Sequence, residues 1–158
     1  MNETIINNWN SVVRDGDVVF FLGDFSFGNA SQVKDILFRL KGKIKIVYGN
    51  HDQSLKQFIK GISNYPELAK RIEILGNYAE INICDQDITL CHYAMKVWKN
   101  SSRLSYSLFG HSHGNLPDDS HSLSMDVGVD CWHYYPISFE QVKSFMSKKT
   151  FHPVDHHV

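Results

Sequence analysis

The sequence has no long hydrophobic run, no excess of charge of one sign and no paired-cysteine motif. Its 16 basic and 17 acidic residues leave a net charge of -1, which argues against broad electrostatic binding of nucleic acid or acidic membranes. No apolar stretch approaches the length of a membrane-spanning helix, and the first residues lack the pattern of a signal peptide. The three cysteines (Cys84, Cys91 and Cys131) show no C-x-x-C spacing, so we expect reduced thiols in a cytoplasmic protein.

The chain also lacks internal repeats, low-complexity tracts and any linker that would divide it. Its 158 residues, of which 42% are apolar, suit one domain spanning 1–158 with a hydrophobic core.

Hydrophobic spacing predicts an α/β (α+β) fold. Helical spacing covers residues 4–13 and resumes after Ser31, the expected cap of a second helix. Strand-like runs lie at 18–22 and 44–48, and this strand–helix–strand order favours a parallel pair with a crossover helix. Further along, three short runs predict a meander or hairpins, at 71–75, 78–83 and 87–91. Two more strands are predicted at 105–109 and 122–129, and a capped last helix at 138–146.

Several strand-like runs end in a residue that can bind a metal. These residues are Asp24, Asn50, His92 and His111, and His113 follows two positions after His111. The C-terminal ends of strands are where open α/β sheets build their sites. Each residue alone is also typical of a turn or, for His92, of a core histidine. Together they form a mixed oxygen and nitrogen set that suits Mn, Fe, Zn, Ni or Co.

Other polar residues predict acid–base chemistry beside such a site. His51 is a candidate general acid for a leaving oxygen, and Asp52 could hold its imidazole. If His113 serves a second ion, two ions about 3.5–4 Å apart could clamp a phosphoryl group. Asp126 and Asp130 are open candidates for supporting the site from outside the ligand set.

Residues 23–28, 49–52, 92 and 110–113, in this order and spacing, resemble the calcineurin-like metallophosphoesterases, and most of all the small bacterial and phage members. The resemblance implies a β-sandwich flanked by helices and a phosphodiesterase or other phosphoesterase activity that uses metal-activated hydroxide. It implies that Asp24 bridges two metal ions, that Asn50, His92 and His111 complete one site, and that His113 binds the other ion. His51 would protonate the leaving group. With no basic groove, a small phosphodiester or nucleotide is the expected substrate, and manganese is one of the expected metals.

The chain departs from the family pattern at one point, because no Asp-x-His motif precedes Asp24. We therefore expect an N-terminally shortened member without the family's first strand, and one ion in place of the family's two is an open alternative. Residues 119–121 and 155–157 are alternative sources of the motif, the latter through Asp155 and His157. The alternative function is a catalytically impaired module that binds a phosphorylated ligand or a protein. A structural role in a phage or mobile element is a third hypothesis.

Overall fold

Three parallel strands form the sheet of the first half of the chain in the computed structural model, which describes residues 2–154. The chain divides into two compact units, the first running to Asn77 and the second beginning at Tyr78. The elements of the first unit are α1 (Asn2–Val12), β1 (Val18–Phe21), α2 (Ala30–Arg39), β2 (Lys43–Val47), α3 (Gln53–Ile59), a 3-10 turn (Ile62–Asn64), α4 (Pro66–Ala69) and β3 (Ile72–Gly76).

The sheet of the first unit has the order β1-β2-β3, with both pairs parallel. The predicted parallel pairing of the first two strands through a crossover helix is therefore confirmed. Ile44 and Ile46 of the central strand lie two residues apart on one face of the sheet and are fully buried, whereas Lys43 and Lys45 on the other face are exposed and half-buried. Helices supply the rest of the core, through Ile6, Trp9, Val33, Leu37, Leu55, Phe58 and Leu68.

Two local predictions for this unit are wrong. Asn29, not Ser31, caps α2, because its side chain accepts the backbone N–H of Gln32 while the Gln32 side chain accepts the N–H of Asn29. The run at 71–75 does not join a meander. It forms β3, which pairs in parallel with β2 because α3 and α4 return the chain to the same sheet end.

The second unit contains a mixed four-stranded sheet of order β4-β5-β6-β7. Its elements are β4 (Tyr78–Ile83), β5 (Gln86–Cys91), a 3-10 turn (Ser101–Arg103), β6 (Tyr106–Phe109), β7 (Ser124–Asp126), a 3-10 turn (Val129–Trp132) and α5 (Phe139–Met146). The first pair is the predicted antiparallel hairpin, and the other two pairs are parallel. The predicted capping box of α5, between Ser138 and Gln141, is present.

With parallel and mixed sheets and accompanying helices, the chain has the predicted mixed α/β class. Among the helices of the described residues, none combines the length and the hydropathy that crossing a membrane requires.

Candidate metal centre

Asp24 occupies the sharp turn that follows β1. Its φ of 58° and the 93° of Gly23 place both residues in the left-handed region, which aspartate tolerates better than most side chains. The Asp24 Oδ1 atom accepts the backbone N–H of His51 at 2.8 Å. This hydrogen bond joins the turn after β1 to the turn after β2, where Asn50 precedes His51.

The side chain of Asp52 connects the same two turns from the protein interior. Its buried carboxylate accepts three backbone N–H groups, those of Asp24 at 3.0 Å, Phe25 at 2.7 Å and Gly49 at 2.7 Å. Asp52 stands at the N-cap of α3 but makes no side-chain cap hydrogen bond, because both oxygens are directed to the two turns. Its role is therefore to set the geometry of the loops that carry Asp24, Asn50 and His51.

The prediction that Asp52 holds the imidazole of His51 is wrong. Three backbone N–H groups occupy both carboxylate oxygens of the buried Asp52. The His51 ring instead packs against Phe27, with 5.2 Å between ring centroids and 50° between the planes. The orientation of His51 therefore depends on its backbone bond to Asp24 and on this aromatic neighbour.

Tyr48 adds a neutral group at the end of β2. Burial, and to a smaller degree the negative charge of Asp52, raise the pKa of its phenol, which stays protonated at neutral pH. The ammonium of Lys56 lies 4.8 Å from the centroid of the Tyr48 ring, within cation–π distance.

In the second unit, His92 and His111 face each other directly. The Nε2 atom of the buried His92 lies 3.1 Å from the Nδ1 atom of His111. Two nitrogens that bind one ion at about 2.0–2.1 Å each lie about 2.8–3.4 Å apart, from the octahedral to the tetrahedral angle. The backbone supports the pair, because the N–H of Gly110 donates to the carbonyl of His92 at 3.1 Å. The observed 3.1 Å lies within that range, and it is also the length of an N–H···N hydrogen bond between the two rings.

Tyr93 flanks this histidine pair. Its ring centroid lies 4.9 Å from that of His92 and 4.6 Å from that of His111, and both contacts are edge-to-face. The phenol ring thus restricts the rotation of both imidazoles. Sequence reasoning missed Tyr93, although its position directly after a strand-terminal histidine was a usable signal.

His113 has a carboxylate partner of its own. Its Nδ1 atom lies 2.5 Å from Oδ2 of Asp130, so His113 would bind an ion through Nε2. A carboxylate on the second ring nitrogen is the arrangement that commonly orients metal-binding histidines. Asp126, at the end of β7, accepts the backbone N–H groups of Gly114 at 3.1 Å and Gly128 at 2.8 Å. Both open candidates thus support this loop with their carboxylates: Asp130 binds the ring of His113, and Asp126 accepts the backbone N–H of Gly114.

The sulfur of Cys131 lies beside Gly114 of the same loop, 3.3 Å from where a Cβ atom added to that glycine would stand. Burial, and then the negative charges of Asp126 and Asp130, raise the pKa of its thiol to about 11. A thiol with such a pKa is protonated at neutral pH, which makes it a poor nucleophile and a poor metal ligand.

Backbone strain marks several of the predicted ligands. Asp24, His111 and His113 have φ values of 58°, 31° and 47°. Non-glycine residues in this region cost free energy, and they concentrate where a fold holds side chains for function. The turns after β1 and β6 are therefore shaped to present these side chains.

The structure describes one of the two alternative Asp-x-His motifs, the one at residues 119–121. Asp119 accepts the backbone N–H of His121 at 2.8 Å, and the Nδ1–H of His121 donates to the carbonyl of Thr150 at 2.8 Å. Both side chains thus fix a turn and the segment that follows α5. The second motif, with Asp155 and His157, lies outside the described residues.

Comparisons with known proteins agree with this architecture. The family model of the calcineurin-like phosphoesterase superfamily domain matches residues 2–141. The uncharacterized protein MJ1445 of Methanocaldococcus jannaschii is 30% identical over an alignment 156 positions long, which covers 94% of this chain and 76% of that protein. The crystal structure of AQ665 from Aquifex aeolicus, a protein of unknown function, has a similar fold, with a TM-score of 0.66 and 21% identity. The match covers 91% of this chain and 84% of that chain.

Proposed function

Because the chain belongs to the calcineurin-like phosphoesterase superfamily, whose members are in general metal-dependent phosphoesterases, we propose that it hydrolyses a small phosphodiester or nucleotide. Its metal ligands in this proposal are Asp24, Asn50, His92, His111 and His113. The observation that carries it is the 3.1 Å approach of two imidazole nitrogens in His92 and His111. Mixed oxygen and nitrogen ligands suit Mn, Fe, Zn, Ni or Co. When bound, such an ion supplies Lewis acidity toward the phosphoryl group and lowers the pKa of water.

The protein's own groups position the reaction. His51 gives a proton to the departing oxygen of the substrate, a role suited to an imidazole at neutral pH. The bond from its backbone N–H to Asp24 holds His51 in place, and Asp52 holds the two turns together. Asp130 sets the ring of His113 by its bond to Nδ1. Each of these contacts lowers the entropy cost of reaching the reactive arrangement.

The substrate in this proposal is small. The net charge of -1 offers no broad electrostatic attraction for the backbone of a long nucleic acid. We further propose that the chain works as one domain in the cytoplasm, where its three free cysteines stay reduced.

The test is hydrolysis of an aryl phosphodiester by protein loaded with Mn²⁺. We expect turnover by the unchanged protein and only background turnover by Asp24→Asn. His51→Gln should keep its metal and lose about 10²–10⁴-fold in kcat, the range for a general acid. His121→Gln is the matched histidine control and should keep full activity. Absence of turnover in metal-loaded, folded protein would reject the proposal. If phosphate esters then still raised the Tm, the alternative of a binding module would replace it.

A further inference from the structure

Phe27 is the most exposed large apolar side chain among the described residues. It is 75% exposed, and its ring lies 5.2 Å from that of His51. The aromatic face therefore contributes little to the core of the first unit, while it flanks the residue assigned as proton donor.

The loop that carries Phe27 is well supported. The N–H of Gly28 donates to Oγ of Ser26 at 3.0 Å, and the N–H of Phe25 donates to Asp52 at 2.7 Å. A Cβ atom added to Gly28 would collide with Oε1 of Gln32, so the backbone passes close to the first turn of α2. The Phe25 ring packs edge-on against Phe21, with 5.0 Å between centroids. These contacts support the backbone on both sides of Phe27, and the ring of Phe27 itself lies beside His51.

We propose that Phe27 is a stacking surface for a planar ring carried by the leaving alcohol. The substrate is then a nucleoside phosphate, whose base stacks on Phe27, or a phosphate ester of another alcohol with an aromatic ring. This inference rests on the proposed function. A general acid must reach the oxygen that leaves, so the organic group on that oxygen lies beside the imidazole of His51. Phe27 is the aromatic neighbour of that imidazole. A fixed aromatic ring attracts planar bases by stacking, and it does so with little preference among them.

The test compares two ligands that differ only in the base, adenosine 5′-monophosphate and ribose 5-phosphate. Binding to Mn²⁺-loaded protein is measured by calorimetry, and phosphate release is followed in parallel samples. We expect the nucleotide to bind about tenfold more tightly than the sugar phosphate, a typical stacking contribution. Phe27→Ala should bring the two affinities together, and Phe27→Trp should restore the difference. Where turnover is seen, the change should appear in KM and leave kcat nearly unchanged.

Phe38→Ala is the matched control, since it removes another exposed phenylalanine of the same unit, one that packs against Tyr65. It should keep the tenfold difference, and both Phe27 variants should share the Tm of the unchanged protein. An affinity ratio that survives Phe27→Ala, or binding of neither ligand, would overturn the inference. Phosphate release with no effect of Phe27 would leave the proposed function standing alone. Phe27-dependent nucleotide binding without phosphate release would support the stacking role of Phe27 and reject the proposed hydrolysis.

Discussion

The carboxylate of Asp52 accepts the backbone N–H of Asp24, with 3.0 Å between Asp52 Oδ2 and the Asp24 nitrogen. These residues stand on different turns, and the bond connects the ends of two neighbouring parallel strands. The buried carboxylate accepts three backbone N–H groups, and no neutral or smaller side chain offers two charged oxygens for these bonds. The geometry at Asp24 and His51 therefore depends on a residue that need not touch the substrate.

We expect Asp52→Ala to lower the free energy of unfolding by about 3 kcal/mol, because it leaves three backbone N–H groups without their partner. Urea unfolding followed by circular dichroism measures the change. Asp35→Ala is the control, since Asp35 lies on the surface of α2 and forms an ion pair with its neighbour Lys34 at 3.7 Å. It should cost no more than about 0.5 kcal/mol. Equal stability of the two variants would show that the Asp52 contacts do not stabilise the turns.

Metal content should depend on the facing histidines. We expect His92→Gln and His111→Gln each to lower the ions retained per chain, because each removes one of the two nitrogens that face each other at 3.1 Å. Elemental analysis of protein purified without chelator measures this, and Mn²⁺ should raise the Tm of the unchanged protein more than that of either variant. His121→Gln serves as the control, since its ring bonds a backbone carbonyl. Unchanged metal content in both variants would remove these residues from the ligand set.

Asp130 should tune the affinity of the ion that His113 binds. We expect Asp130→Asn to weaken metal binding about 10- to 100-fold, the usual effect of losing a carboxylate that orients a ligating histidine. Competition with a fluorescent chelator measures the affinity. Asp85→Asn is the matched control, because Asp85 lies in the β4–β5 turn with a φ of 63° that asparagine also tolerates. If both variants bind metal like the unchanged protein, the Asp130 contact has no part in binding.

The cysteines should differ in their reaction with iodoacetamide. Alkylation requires the thiolate, and Cys131, with a pKa of about 11, is almost entirely protonated at pH 8. Because the pKa is raised, its labelling should increase steadily as the pH rises toward 11. The exposed Cys84 should be labelled first at pH 8. Mass spectrometry of peptides from the folded protein resolves the sites, and Cys84→Ser verifies the assignment. Labelling of Cys131 as fast as Cys84 at pH 8 would contradict the prediction.

Local sequence patterns predicted much of the fold. The apolar spacing in 18–22 and 44–48 predicted two strands, and the helical run between them predicted their parallel pairing, which is observed. The capping box at Ser138 was visible because its two partners are three residues apart. The strand-terminal positions of His92 and His111 were also visible locally, since His92 follows an apolar run directly and His111 follows one after Gly110.

Other features depend on residues that are distant in the sequence. Nothing local shows that β3 pairs with β2 and not with β4, because that choice depends on how the intervening helices return the chain. The spacing of Asp52 suggested a partner one residue away in His51, whereas its carboxylate binds amides up to 28 positions away. The bond between His113 and Asp130 spans 17 positions. Sequence by itself determined the periodic elements and which polar residues end the strands, because those follow from local backbone geometry. Tertiary structure decided which side chain each of these residues meets, because that depends on long-range packing.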